Sequence, residues 1–204
     1  DQGQYIKEKL YLSNKPCYFS PKEVVRCFSN DRFTPVKTVT AVIKRLALMS
    51  AGGFLPELKW SCDSFATSII SFRQGFCYIP EIMTVFRLHQ GQWGGTMSKN
   101  SGLERELIKT TIEVVERKEY ADVLPMFKRT APFSNYPWET LQVIINSRRY
   151  WGYLSFKLVR FALFDKLIKR SIKRAVPTKI IDIWRRNAYR IVRLLKSAGA
   201  GKRP

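Results

Sequence analysis

The sequence predicts a mixed α/β half that gives way near residue 100 to a helical and strongly basic half. Three observations predict it. A β-branched, alternating run, TVTAVIKR (residues 38–45), and a second extended run, FCYIPEIMTVFRLH (76–89), flank a helical pattern in the first half. From Ser101 onward the periodicity is helical only, broken near Pro132, Pro137 and Pro177. Charge divides with it: from Arg148 to the end, Lys and Arg are opposed only by Asp165 and Asp182. The expected organisation is therefore an α/β region over residues 1–100 and a helical basic region over 101–204.

Each element has a local cause. In YFSPKEVVRCF, Ser20 can cap a helix, Pro21 suits its first turn, and Glu23 lies three residues after the cap, as a capping box requires. TVTAVIKR reads as a strand. Gly52 and Gly53 then mark a turn or a close approach of backbone. SFATSIISFRQG fits a short helix, with Phe65, Ile69 and Phe72 at helical spacing and Gly75 at its stop. Pro80 places the following extended run at an edge or a bend. QGQWGGTMSKNSG holds four glycines and reads as a mobile loop. Ser101 and Glu104 repeat the capping-box signature and open the helical half.

The totals narrow the function classes. With 204 residues, 45% of them hydrophobic and 25% charged, the chain can bury a core and is not a disordered polymer. Its 36 Lys and Arg against 16 Asp and Glu give a formal net charge of +20, which seeks a polyanion: nucleic acid, an anionic membrane or a phosphorylated substrate. Cys17, Cys27, Cys62 and Cys77 show no CxxC spacing and there is a single His, which argues against a structural zinc site. Read as reduced and mostly buried, the cysteines suit a cytosolic location. No apolar run is long enough to predict a transmembrane helix.

Near the C-terminus, a helical wheel of TKIIDIWRRNAYRIVRLLKS gathers Ile180, Ile183, Trp184, Ile191, Leu194 and Leu195 on one face. Arg185, Arg186, Arg190, Arg193 and Lys196 share the other. Such a helix lies in an anionic membrane interface, or packs its apolar face on a core and leaves its basic face to solvent.

Candidate chemical residues cluster in the first half. Asp63 lies between a turn and a helix start, where it serves as a helix cap or as a general base. Trp60 offers a flat apolar face that can stack on a sugar ring, or fills a core. Arg87 and His89, two apart on an extended run, face the same way and form a cationic and imidazole surface suited to phosphate, or an ordinary strand end.

The order KR, AGGFLPELKW, an Asp opening a helix, SFRQGFCYIPE, then FRLH before a glycine-rich loop resembles the second half of the catalytic domain of inverting family 2 glycosyltransferases. The resemblance runs from about Thr38 to Ser98, and more loosely upstream to Tyr5. It implies a partial GT-A fold, in which the GGF turn borders the acceptor cleft. It also implies that Asp63 is the catalytic base, that Gly52, Gly53 and Trp60 contact the acceptor, and that His89 with Arg87 serves the donor diphosphate or its metal. The chain departs from the family at two points. Cys62 stands where a second carboxylate usually precedes the base, and no Asp-x-Asp motif is present. Since the family carries that motif and its uridine-binding strand in the first half of the domain, about the first hundred residues of a family-sized domain are expected to be absent. The chain alone is then expected to be inactive.

The resemblance further implies a nucleotide-sugar donor and a glycan or lipid-linked acceptor. A divalent ion, Mg²⁺ or Mn²⁺, is expected in the complete enzyme and none bound by this chain alone. With the basic tail, including Trp184, Arg185, Arg186, Arg190 and Arg193, the expected location is cytoplasmic and peripheral on the inner face of the membrane. Two other readings fit the charge: a nucleic-acid-binding protein, which leaves the GGF-to-His order unexplained and lacks a known signature, and a membrane-binding accessory protein without activity.

Overall fold

The computed structural model describes residues 12–30, 36–84, 100–130 and 136–163. Among them run two strands, β1 (Cys17–Phe19) and β2 (Phe76–Tyr78), and seven helices. The helices are α1 (Pro21–Asn30), α2 (Arg45–Ser50), α3 (Cys62–Gln74), α4 (Ser101–Val115), α5 (Leu124–Thr130), α6 (Pro137–Ile145) and α7 (Phe156–Leu163). Short 3-10 turns at Thr38–Thr40, Pro56–Ser61, Lys118–Tyr120 and Arg148–Tyr153 connect them.

β1 and β2 pair antiparallel, with Cys17 opposite Tyr78 and Phe19 opposite Phe76, whose rings stack at 5.1 Å. Gly75, between α3 and β2, has φ of 71°, and a Cβ there would run into the Phe19 carbonyl and the Tyr18 ring. The expected stop after the FRQG helix thus has a steric reason.

Three local expectations come out as follows. The Ser20–Glu23 pair forms: Glu23 Oε2 accepts from the Ser20 backbone N–H at 2.8 Å and from its hydroxyl at 2.6 Å, and α1 begins with Pro21. The expected strand over 38–45 does not form. Thr38–Thr40 closes a 3-10 turn through Thr40 N to Lys37 O and Ala41 N to Thr38 O, both 3.0 Å, and the Thr40 hydroxyl donates to Lys37 O. Arg45 already belongs to α2. A β-branched run needs a neighbouring strand for its ladder, and among the described residues none is present, so local threonine bonds prevail. The expected capping box of Ser101 and Glu104 does not form: Asn100 is the cap instead, and its Oδ1 accepts from Gly102 N at 3.0 Å and Leu103 N at 3.3 Å. Asn100 is extended (φ −98°, ψ 98°) and carries the better acceptor, so Ser101 becomes the first helical residue.

The core crosses residue 100 without interruption. Val24 and Phe28 of α1 and Phe65, Ile69 and Phe72 of α3 share one buried cluster with Ile108 and Ile112 of α4, Phe127 of α5, Ile144 of α6 and Leu158 of α7. Phe72 touches Phe28 at 5.0 Å and Phe127 at 5.9 Å, while Phe65 meets Tyr120 at 5.3 Å. Each such side chain contributes about 1.5–3 kcal/mol on burial, so the two expected halves are stabilised together. By internal contacts the compact units are Asp1–Ala162 and Leu163–Pro204. No disulfide joins the cysteines. Cys17, Cys27 and Cys62 are half-buried and Cys77 is exposed, so they are less buried than the sequence suggests.

Candidate active site

The segment from Gly52 to Asp63 links α2 to α3. α2 ends in a Schellman motif: Gly53 N–H donates to Leu48 O at 2.9 Å and Gly52 N–H to Met49 O at 3.1 Å. Gly52 takes the left-handed position with φ of 89°. A Cβ there would lie 2.5 Å from the Tyr120 hydroxyl, which itself donates to Ala51 O at 3.0 Å. Gly52 is therefore explained by packing against Tyr120. Gly53, with φ of 72°, differs: a Cβ built on it meets no atom within 4 Å, so its face is open to an approaching molecule.

The chain then turns sharply. Leu58 is fully buried, and the next residue, Lys59, has φ of 48° and ψ of −124°, a conformation normally left to glycine. Two ion pairs hold the corner, Lys59 Nζ to Glu106 Oε1 at 3.1 Å and Arg117 Nη2 to Glu57 Oε1 at 3.0 Å. The bend carries Trp60, half-buried, to the vicinity of Tyr136. Burial pushes the Tyr136 phenol up, and the Glu104 carboxylate adds to this.

Asp63 occupies the first turn of α3 and is half-buried. Its Oδ1 accepts from the Ser64 backbone N–H at 2.6 Å and from the Ser64 hydroxyl at 3.3 Å. The carboxylate thus satisfies one free donor of the helix start, while Oδ2 accepts no hydrogen bond among the described residues. Ser61 does not cap, since its hydroxyl donates back to Leu58 O at 3.0 Å. Beside Asp63, burial and then the Asp63 charge push the Cys62 thiol up, which keeps it protonated at neutral pH. Further along α3 the hydroxyls of Thr67, Ser68 and Ser71 donate to carbonyls one turn back, so these buried polar residues are satisfied within the helix.

Three residues that the sequence reading did not assign to a site shape this region. Glu104 on α4 is 4% exposed, with Oε1 buried and without a hydrogen-bond partner among the described residues. Burial, with a smaller push from the Glu139 charge, raises its pKa to about 7. Tyr136 feels the charge of Glu104 and, less strongly, that of Glu139. Arg73, in the FRQG segment, donates to both Asp122 carboxylate oxygens at 2.8 and 2.9 Å, to Ser50 O at 2.9 Å and to Glu119 O at 2.5 Å. No sequence signal marks Arg73, because its partners lie up to 49 residues away. For Glu104 a signal existed: Asn100 is the better cap and moves the Glu one position too far into the helix to reach back.

Gly52, Gly53, Trp60 and Asp63 thus lie on one continuous bend between two packed helices. Arg87 and His89 lie outside the described residues, as do Trp184, Arg185, Arg186, Arg190 and Arg193. Among the described residues, no three His, Cys, Asp or Glu side chains gather to hold a metal ion, and no helix is long and apolar enough to cross a membrane. An open hollow lined by Lys44, Arg45, Leu46, Ala47, Ser50 and Gln74 shares no residue with the Trp60–Asp63 bend. Compared with known proteins, the chain matches no family model, no curated protein and no solved structure.

Proposed function

We propose that the chain carries the acceptor-side, catalytic portion of an inverting family 2 glycosyltransferase, with Asp63 as general base. The observation that supports this best is the bend itself. A half-buried carboxylate with one oxygen unengaged among the described residues opens α3, three residues after a half-buried Trp, within the ordered run from GGF to FRLH. Inverting transfer is a single in-line displacement at the anomeric carbon. The acceptor hydroxyl oxygen forms the new bond, the bond to the diphosphate oxygen breaks with its electron pair, and Asp63 takes the hydroxyl proton. Ser64 holds Oδ1, so Oδ2 is the oxygen that receives it.

Trp60 would stack on the acceptor ring, and Gly53, whose face is open, would let that ring approach the backbone. Arg87 and His89 are the proposed partners of the leaving diphosphate, whose charge a divalent ion of the complete enzyme would also neutralise. The donor is then a nucleotide-sugar and the acceptor a glycan or lipid-linked sugar. The protein works at the cytoplasmic face of a membrane, held by its basic tail.

In the complete enzyme, with its donor-binding half, Asp63→Asn is expected to lower turnover at least about a hundredfold and to leave donor affinity unchanged by calorimetry. Near-normal turnover of the Asn variant would leave Asp63 as a helix-start residue and remove the base from this reading.

A further inference from the structure

α2 is turned inside out. Its small residues, Ala47 and Ala51 at the helix end, are buried, whereas its bulky Leu46 and Met49 are 84% and 65% exposed. Leu46 and Met49 are three apart and share a face. The segment before it adds Val39 and a fully exposed Val42, and the turn after it adds Phe54, also exposed. A helix docked only on its own core would place these side chains the other way round. Scattered exposed apolar residues are ordinary, but five within sixteen residues of chain, with Leu46 and Met49 on one helix face, are a local concentration that calls for a partner.

Charge identifies the partner. From Val36 to Pro56 the chain has no Asp or Glu, and it carries Lys37, Lys44 and Arg45, all exposed. Lys44 and Arg45 line the open hollow with Leu46, so cationic groups and the apolar face adjoin. A second copy of the chain would bring like charges together at this face, in a protein of net charge +20. A neutral protein would leave Lys44 and Arg45 without counter-charge. A lipid leaflet with anionic headgroups matches both features at once: apolar side chains enter the acyl boundary while Lys and Arg remain among the phosphates.

We infer that the Val39–Phe54 surface seats on an anionic lipid leaflet, with Leu46 and Met49 inserted and Lys44 and Arg45 at the headgroups. This surface is distinct from the C-terminal tail, and the inference does not rest on the glycosyl-transfer reading.

The test removes the tail's contribution first. In a chain carrying Arg185→Gln, Arg186→Gln, Arg190→Gln and Arg193→Gln, binding is measured by cosedimentation with vesicles of phosphatidylcholine, with and without phosphatidylglycerol. The expected result is retained binding to the phosphatidylglycerol vesicles. Adding Leu46→Ser and Met49→Ser should lower that partitioning by roughly tenfold or more. Adding Lys44→Gln and Arg45→Gln instead should remove most of the preference for the anionic vesicles, about fivefold per charge. The exposed positions leave the fold intact, which circular dichroism checks. Loss of all vesicle binding in the tail variant overturns the inference, as does equal binding to both vesicle types. So does a serine variant that binds like its parent, including one in which the substitutions abolish only a concentration-dependent dimer.

Discussion

Glu104 is the residue whose ionisation conflicts most with its surroundings. It is 4% exposed, and burial raises its pKa from the ordinary 4.5 to about 7. The folded state therefore binds a proton that the unfolded chain has released. Stability falls as pH rises from about 4.5 to about 7 and stays low above that. Glu104→Gln removes this dependence. By urea unfolding at pH 8 the variant is expected to be more stable by roughly 2 kcal/mol, with little difference at pH 4.5, where the wild-type carboxyl is already neutral. A wild-type profile that is flat between those two pH values would contradict the burial argument. Asp122 acts in the opposite sense. The hydrogen bonds from Arg73 hold it below its ordinary value of 3.8, so its contribution is full above that value and is lost as pH falls through the lowered one. One acid thus erodes stability on going up in pH and another on going down.

At the scale of elements, the two glycines ending α2 separate into different roles. Gly52 has a left-handed φ and the Tyr120 hydroxyl 2.5 Å from where a Cβ would stand, whereas Gly53 has the φ alone. Gly52→Ala is expected to cost about 2–4 kcal/mol, and Gly53→Ala nearer 1–2 kcal/mol, the difference being the clash. Chemical denaturation measures both. In the complete enzyme Gly53→Ala should also raise the acceptor KM, and an unchanged KM would deny the open face at Gly53 a role in acceptor binding. Between elements, Arg73 ties the end of α3 to Ser50, Glu119 and Asp122. Asp122 is half-exposed, so the ion pair itself is screened, and the backbone carbonyls left without a donor matter as much. Arg73→Ala is expected to lower stability by about 1–3 kcal/mol, with the denaturant slope unchanged, since the packed rings of Phe65, Phe72 and Phe127 remain. Lys157 performs a similar task with its ammonium, donating to Thr130 O at 3.0 Å and to Phe28 O, carbonyls in the last turns of α5 and α1.

At the scale of the molecule, a net charge of +20 favours association with a polyanion. Its basic tail and a nucleic-acid surface share the same cations, so salt and competition must separate them. With the native tail, binding is expected to favour anionic over neutral liposomes and to survive in part at high salt, because Trp184 and the isoleucines insert. DNA should compete only weakly. Preference for DNA, with liposome binding abolished by salt, would support a nucleic-acid-binding protein instead. Unchanged binding after Arg185, Arg186, Arg190 and Arg193 are replaced by Gln would exclude the tail as the membrane contact.

What the sequence determined by itself is what depends on near neighbours. The Ser20–Glu23 box, Pro21 in a first helical turn, the apolar spacing of Phe65, Ile69 and Phe72, the turn at Gly52 and Gly53 and the glycine stop at 75 all act over a few residues, and each is present. So was the bend from Gly52 to Asp63, whose residue types mark it as a place where backbone and carboxylate face outward. Tertiary structure decided what depends on distant ones. TVTAVIKR has the composition of a strand but no strand beside it among the described residues, so it coils and then enters α2. Glu104 has the spacing of a capping partner but a better cap before it, so its carboxyl is left buried without a hydrogen-bond partner among the described residues. The core crosses residue 100 although composition changes there, because hydrophobic burial is indifferent to sequence order and α1 and α3 find their partners in α5 and Tyr120. Local bonds close within one turn of chain and can be read along it. Ladders, buried charges and the arginine clamp need groups that only folding brings together.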